Sequence, residues 1–183
     1  IYGVVAVLEE PTGACSTPTY VQGAWSGDAT EKWNYTVKTS TSGAYICYVK
    51  NEGTDTIKVT NTSTELSLSP GETVTAWAID PTLERDTSAV MSFTAAAKKA
   101  AEKPKIEIGY YNVSQKKFEV TLKPVDGGTL YYTIDGSTPT GSSSSVTSNT
   151  TIYVAPGSTI NALQMKDYYA NSSVVTSTTL DFT

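Results

Sequence analysis

Two stretches of this chain are versions of one pattern: Glu65-Leu-Ser-Leu-Ser-Pro-Gly-Glu-Thr-Val-Thr-Ala-Trp-Ala-Ile79 and Thr151-Ile-Tyr-Val-Ala-Pro-Gly-Ser-Thr-Ile-Asn-Ala-Leu-Gln-Met165. The Pro-Gly pairs at 70–71 and 156–157 set the register, and Pro18 and Gly23 recur at the same spacing as Pro104 and Gly109. A tandem repeat is therefore predicted. It supplies an internal control: a residue type found in both copies is expected to serve packing, and one found in a single copy is a better candidate for function.

Composition narrows the class of protein. The 183 residues suit two domains of modest size. Charged residues make up 17%, the net charge is -5 and the pI is about 4.7, which argues against a nucleic-acid partner because phosphate binding needs clustered Lys and Arg. No apolar run approaches the roughly 18 residues that span a bilayer, so no membrane insertion is expected. The chain lacks an initial Met and a signal-peptide flank, so we expect a piece of a longer polypeptide. We also expect this piece to be a monomer.

Short runs of alternating apolar and polar residues, bounded by Gly, Pro, Asn and Ser, predict strands throughout. They lie at 32–37, 44–49, 56–59, 65–68, 73–79 and 88–93 in the first copy, and at 117–122, 129–134, 151–154, 159–165 and 172–180 in the second. The predicted fold is all-β, with two tandem immunoglobulin-like sandwiches.

The domain boundaries follow from the repeat and from one break in the strand pattern. Residues 1–11 are expected to form an N-terminal strand or linker, 12–95 the first sandwich, 96–103 a connector and 104–183 the second sandwich. The segment 94–103 is rich in Ala, Lys and Glu and precedes Pro104, so it suits a short helix. A flexible linker and an extended strand end remain alternatives because so short a helix is marginal alone.

The run Gly128-Thr-Leu-Tyr-Tyr-Thr-Ile-Asp-Gly-Ser-Thr-Pro-Thr140, with the later segments 150–154 and 158–169, resembles the C-terminal module of chitobiase and β-hexosaminidases. The resemblance is clear in 104–183 and weaker in 12–95, where Lys50-Asn-Glu-Gly-Thr54 replaces the Asp-Gly-Ser-Thr-Pro turn. It implies a fibronectin-III-like fold and a role beside glycan-active domains of secreted or surface bacterial proteins. We interpret Asp135 as a turn residue, with a bound cation as the minor alternative.

Enzymatic chemistry has little support in the sequence. The chain contains no His, which removes Ser/His/Asp and Cys/His arrangements and most zinc sites. Asp80, Glu84 and Asp86 share a loop with Arg85 and are interpreted as an exposed charged loop rather than a glycosidase pair. We therefore predict a non-enzyme with no metal site and no cofactor. The two cysteines, Cys15 and Cys47, both lie in the first copy, and a disulfide or two buried thiols are both compatible with the sequence.

Aromatic residues are the remaining candidates, because sugar rings stack their apolar faces on Trp and Tyr. Trp33 aligns with Phe118 and Trp25 with Tyr111, so packing explains both pairs, although Trp25 lies at a loop edge. Trp77 aligns with Leu163. By the family resemblance, Val74, Ala76 and Ala78 face the core, which places Trp77 outward with Cys47. Two alternatives remain for this outward stripe. Either a sugar contacts it, or it is covered by the opening strand, the connector or a neighbouring domain.

The candidate carbohydrate-binding residues are Trp25, Trp77, Tyr111, Tyr153 and Tyr168. We predict a non-catalytic carbohydrate-binding or accessory module at the extracellular surface, whose partners are a polysaccharide or oligosaccharide and neighbouring domains of the same polypeptide. The alternative is a purely structural spacer or adhesin stalk without a ligand.

Overall fold

The computed structural model describes residues 12–182, and none of them is helical. The predicted all-β class is confirmed. The described residues divide into two compact units, one with 12–26 and Thr30–Ala97, the other with Gly27–Ala29 and 98–182. The predicted strand or linker at 1–11 lies outside the described residues.

The first unit contains two antiparallel sheets. A three-stranded sheet has the order β1-β2-β5 and a four-stranded sheet has the order β4-β3-β6-β7. Their bounds are β1 Thr19–Trp25, β2 Trp33–Lys38, β3 Tyr45–Lys50, β4 Ile57–Val59, β5 Ser63–Leu68, β6 Thr73–Ile79 and β7 Met91–Thr94.

The second unit repeats this arrangement strand for strand. Its sheets have the orders β12-β9-β8 and β11-β10-β13-β14. The bounds are β8 Lys105–Asn112, β9 Lys117–Lys123, β10 Thr129–Thr133, β11 Ser144–Val146, β12 Thr150–Val154, β13 Asn161–Met165 and β14 Val175–Thr176. Each unit is thus a two-layer immunoglobulin-like sandwich, as the sequence predicts.

The core of each unit lies between its two sheets. Along β6 burial alternates strictly: Val74, Ala76 and Ala78 are fully buried, and Trp77 and Ile79 are only partly buried. The predicted inward face of this strand is therefore confirmed. The cores draw side chains from both layers, which are Tyr35, Val37, Ile46, Tyr48, Leu66, Leu68, Val74, Ala76, Phe93 and Ala95 in the first unit and Phe118, Val120, Leu122, Leu130, Val154, Ile160, Ala162 and Leu180 in the second.

The first strand of each unit contains a bulge, which explains why strand patterning does not reveal it. The register of β1 on β2 shifts between Gln22 and Trp25, and that of β8 on β9 shifts between Ile108 and Tyr111. The glycine of each bulge passes close to the neighbouring strand: a Cβ at Gly23 would lie 3.2 Å from a backbone oxygen, and one at position 109 would lie 3.1 Å from the equivalent oxygen. Bulges break the period-2 alternation that marks a strand. The three-residue β11 is too short to show a pattern.

The two units also share a side-chain hydrogen bond beside the last strand. The Ser88 hydroxyl accepts the backbone N–H of Ala78 at 2.8 Å, and the Ser172 hydroxyl accepts that of Gln164 at 2.8 Å. Each hydroxyl accepts a hydrogen bond from a buried backbone N–H that no carbonyl of the adjacent segment accepts. The repeat therefore extends from strand order to single hydrogen bonds.

The helical alternative for 94–103 is wrong, because no residue of that segment is helical. Its backbone is bonded to side chains instead. The Ala96 N–H donates to the Tyr35 hydroxyl at 2.8 Å, and the Ala97 carbonyl accepts the Trp33 Nε1–H at 2.9 Å. These bonds to core-facing aromatics stabilise an extended path over the weak intrinsic helix preference of the segment.

The cores differ at one corner, where a large residue in one unit replaces a small one in the other. Gln164 is fully buried in the second unit, and its side chain caps a turn by accepting the Val125 N–H at 2.8 Å and donating to the Val125 carbonyl at 2.5 Å. A Cβ at Gly128 would lie 2.7 Å from this side chain. The first unit has Ala78 in place of the glutamine, beside Ala44 at the turn. Glycine at 128 is thus required by the glutamine.

Gly128→Ala is expected to destabilise the second unit by about 1–3 kcal/mol, because the added methyl overpacks against Gln164. In a Gln164→Ala background the same change is expected to cost well under about 1 kcal/mol, since that pair reproduces the alanines of the first unit. Denaturant unfolding of the four proteins of this cycle measures the coupling. Equal costs of Gly128→Ala in both backgrounds would contradict the proposed dependence.

Candidate functional site

A groove of about 370 Å³ opens in the second unit where β10 and β11 of one sheet approach β12 of the other. Its volume falls in the range of small-molecule sites. Nine residues line it, which are Tyr132, Thr133, Ile134, Asp135, Ser143, Ser144, Ile152, Tyr153 and Val154.

The floor and the rim of the groove differ in character. Tyr132 and Ile152 pack against the core, and Val154 is buried within it. At the rim Ile134 is 47% exposed and Tyr153 is 41% exposed. Carboxylate and hydroxyl groups lie among these apolar surfaces, so the groove combines apolar area with hydrogen-bonding groups at its edge.

The turn after β10 is held by its own side chains. Asp135 Oδ1 accepts the Ser137 N–H at 3.0 Å and the Ser137 hydroxyl at 2.6 Å, an arrangement typical of Asx turns. Thr133 Oγ1 donates to the Ser137 carbonyl at 2.5 Å. Gly136 has φ 80°, a conformation that favours glycine. The Asp-Gly-Ser motif thus positions a carboxylate at the groove.

A buried amide supports this turn from the neighbouring strand β13. Asn161 is 9% exposed, and its Nδ2 donates to the Gly136 carbonyl at 2.7 Å and to the Ser137 carbonyl at 3.0 Å. The Gly136 N–H in turn donates to the Thr159 carbonyl at 2.9 Å. The turn is therefore anchored to a central strand through side-chain and backbone bonds.

The Asp135 carboxylate is stabilised in its charged form. The Ser137 hydroxyl, and next the Ser137 N–H, hold the pKa of Asp135 below its ordinary value. No Lys or Arg is among the nine lining residues, so Asp135 carries the only formal charge of the groove lining at neutral pH.

The first unit lacks the rim of this groove. Tyr48 and Tyr132 occupy one shared position, each opposite an alanine of the neighbouring strand. Ser67, however, stands where Tyr153 does, as the pairing of β5 on β2 and of β12 on β9 shows. Lys50 ends β3 where Ile134 follows β10. The floor of the groove is common to both copies, and its rim belongs to the second copy alone.

Residues 107–177 match the family model described as Chitobiase/beta-hexosaminidase C-terminal domain. This segment includes the turn and most of the groove-bearing unit. The second repeat is therefore similar to this domain family. The family is a C-terminal accessory domain of glycosidases, and the predicted resemblance is confirmed for the second repeat.

Two solved structures align with most of this chain at low sequence identity. The human OSCAR ligand-binding domain aligns with 88% of this chain and 96% of its own, at 9% identity and a TM-score of 0.36. The chicken CNTN1 FN1-FN3 domains align with 91% of this chain and 66% of their own, at 10% identity and a TM-score of 0.33. The search of curated proteins found no match.

In the chitobiase-type second repeat, Tyr111 belongs to an aromatic pair that recurs in the first copy. The Trp25 and Trp33 rings meet edge-on at 5.3 Å, and those of Tyr111 and Phe118 at 5.2 Å. Trp25 is only 8% exposed, so packing is the rival explanation there, and sugar contact at Trp25 stays a prediction. Both pairs close the end of a sandwich across the bulge. Sugar contact at Tyr111 stays a prediction with packing as its rival.

Trp77 lies opposite Cys47 in the register of β6 on β3, so the predicted outward placement of this pair is confirmed. The indole is partly buried. Tyr168 is 43% exposed and has φ 64°, which places it in a tight loop turn outside the groove. Among the five candidate sugar-binding residues, the groove contains Tyr153 alone.

Seven of the nine groove residues were not singled out by sequence reasoning, which are Tyr132, Thr133, Ile134, Ser143, Ser144, Ile152 and Val154. A usable sequence signal existed for Ile134: an apolar residue directly precedes the Asp-Gly-Ser turn, and Lys50 replaces it in the first copy. The serines lie in and before a strand too short to predict, so no sequence pattern marks them.

The two cysteines are free and buried. Cys15 packs on Ala44 and Ala78, which face the sandwich interior, whereas Cys47 pairs with the outward Trp77. They therefore lie on opposite faces of one sheet, and the disulfide alternative is not realised. Burial raises the pKa of both thiols, so neither is activated as a thiolate.

Other chemistry-bearing groups are engaged in structure. Asp80 Oδ1 accepts the Thr82 N–H at 2.9 Å and the Thr82 hydroxyl at 2.7 Å, which lowers the Asp80 pKa, and Arg85 bonds its other oxygen at 3.3 Å. Within residues 12–182, no cluster of three metal-ligating side chains is present. The same range holds no helix of the length and apolarity that crossing a membrane requires.

Both thiols are expected to react slowly with Ellman's reagent in the folded chain, because each is buried and has a raised pKa. In denaturant without reductant, both cysteines are expected to react at once. A denatured chain that releases no thiolate chromophore until reductant is added would contradict the free-thiol arrangement.

Ser137→Ala is expected to raise the pKa of Asp135 towards the ordinary value of an aspartate, because it removes the hydroxyl donor that lowers this pKa most. A carboxyl with a depressed folded pKa stabilises the protein above the unfolded pKa, and this contribution disappears as pH falls through the folded pKa. The stability gap between wild type and variant is therefore expected to narrow below about pH 4. NMR titration of the Asp135 carboxyl and unfolding at several pH values measure both effects. Ser142→Ala, an exposed serine of the same unit, serves as control and is expected to leave this pKa unchanged.

Proposed function

We propose that the second unit binds carbohydrate in its groove and that the two units together are non-catalytic accessory domains of a secreted or surface-displayed bacterial glycan-active protein. The observation that carries this proposal is the rim of Tyr153 and Ile134 beside Asp135, Ser143 and Ser144. A sugar offers apolar C–H faces to the first group and hydroxyls to the second. Such a ligand uses every kind of surface the groove presents.

The first unit is assigned a presenting role. It retains the sandwich and the floor position Tyr48 but has Lys50 and Ser67 at the rim positions. We propose domain boundaries at 12–95 and 104–183, with 96–103 as the connector, and neighbouring domains of the same polypeptide as further partners. The unit acts as a monomeric, extracellular scaffold in this proposal.

A catalytic role is not part of the proposal. Glycoside hydrolysis generally uses two carboxyl groups, one on each side of the scissile bond. The groove lining contains one carboxylate, and its depressed pKa is the reverse of what a general acid needs. The accessory character of the chitobiase-type domain supports the same conclusion.

Tyr153→Ala is expected to weaken polysaccharide binding about tenfold, because it removes the exposed ring at the groove rim. Affinity electrophoresis through gels that contain plant, fungal and host polysaccharides measures the retardation. The matched control is Tyr110→Ala, which removes a 90% exposed tyrosine of the same unit that does not line the groove. Equal loss of retardation in both variants would contradict binding at the groove.

A second candidate function is a structural spacer without a ligand. The observation in its favour is that no tryptophan is among the exposed large side chains of the described residues, with Trp25 buried and Trp33 bonded to the Ala97 carbonyl. The same gels separate the two functions. A wild-type chain that is retarded by no polysaccharide of the panel supports the spacer.

A further inference from the structure

The groove carries charge of one sign. Of its nine lining residues only Asp135 is formally charged at neutral pH. Two lysines of the second unit are engaged in ion pairs at other surfaces, Lys123 with Glu107 at 2.5 Å and Lys166 with Asp126 at 2.6 Å. A ligand in the groove therefore meets a carboxylate without a lining cation to offset it.

The position of this carboxylate is set by the turn. Both hydrogen bonds that Ser137 gives to Asp135 end on Oδ1, so Oδ2 is left for a ligand donor. Thr133 and Asn161 hold the carbonyls of the same turn. A side chain tied in this way does not swing out of reach of a bound ligand, and it meets either a donor or a repelling anion.

Resting on the proposed function, we infer that the groove selects glycans without acidic groups, and that Asp135 is the residue that determines this specificity. Sugar hydroxyls and amino groups donate to a carboxylate, and such charge-assisted hydrogen bonds are stronger than neutral ones. A uronate, sulfate or sialate group brings a second anion to the same site, where like charges oppose one another and lose hydration. The specificity thus arises because Asp135 repels acidic groups beside a surface that attracts the uncharged sugar.

The first unit provides a contrast at the same place. Lys50 stands where Ile134 precedes Asp135, and neutral Asn51 stands where Asp135 does, so the first unit has no counterpart of the groove carboxylate. Acid exclusion is therefore a property of the second unit and not of the shared scaffold.

The test uses pairs of polysaccharides that share a backbone and differ in charge: highly methyl-esterified galacturonan against the same polymer after saponification, and hydroxyethylcellulose against carboxymethylcellulose. The full chain is expected to bind the uncharged member of a pair at least about fivefold more tightly at low salt, the ratio that about 1 kcal/mol of repulsion gives. The ratio is expected to shrink in 0.5 M NaCl because salt screens the repulsion.

Asp135→Asn preserves an oxygen acceptor for Ser137 while removing the charge. It is expected to bring the ratio close to one, mainly by improved binding of the acidic polymer. Asp126→Asn is the matched control, since it removes a carboxylate of the same unit outside the groove, and it is expected to leave the ratio unchanged. Gain of binding to the acidic polymer is a readout that mere loss of the fold cannot produce.

The outcomes separate this inference from the function on which it rests. Equal or tighter binding of the acidic member by wild type, a ratio unchanged by salt, or a ratio unchanged in Asp135→Asn overturns the inference while leaving carbohydrate binding intact. Absence of binding to these pairs and to the whole polysaccharide panel overturns the proposed function itself, and the inference with it.

Discussion

Both units depend on one cross-strand arrangement at the centre of the four-stranded sheet, where a tyrosine lies opposite an alanine. Tyr48 faces Ala76 and Tyr132 faces Ala162 across antiparallel strands. The alanine side chain is small, which leaves space within the sandwich for the ring beside it. Because side chains alternate between faces, this inward pair fixes which residues of both strands contact the opposite sheet. The core positions of the other layer follow from that requirement.

The same constraint leaves the edges of the sandwich free to diverge. At the corner where the units differ most, Gln164 and Gly128 in one copy occupy the positions of two alanines in the other. At the open side, the Asp135 turn, Ile134 and Tyr153 replace residues of quite different character. The buried corner tolerates the exchange because Gly128 makes room for Gln164, and the exposed positions of the open side tolerate exchange because they lie outside the close-packed interior. This is how a duplicated scaffold comes to carry a groove in one copy.

Sequence reasoning succeeded where neighbours in space are also related by pattern. The equivalent packing roles of Trp33 in one copy and Phe118 in the other follow from the repeat, and the outward placement of Trp77 with Cys47 follows from alternation. It failed for β1 and β8, whose glycine bulges interrupt the alternation, and for the segment 94–103, where bonds from Trp33 and Tyr35 override helix preference. For the groove, Tyr153 was among the candidates, but its companions on β10 and β11 were not, because their approach depends on how two sheets meet.

By itself the sequence determined that these 183 residues form a tandem pair of all-β domains, that the second copy has a turn resembling that of the chitobiase-type module, and that none of the residues is a histidine. Those conclusions rest on periodicity, spacing and residue type, which are properties of the chain alone. Only the tertiary structure decided that Trp25 is buried, that the two cysteines lie on opposite faces of a sheet, and that Asp135, Ile134 and Tyr153 line one groove. Residues about 20 positions apart in the sequence become neighbours only when two sheets pack, and no local pattern encodes that approach.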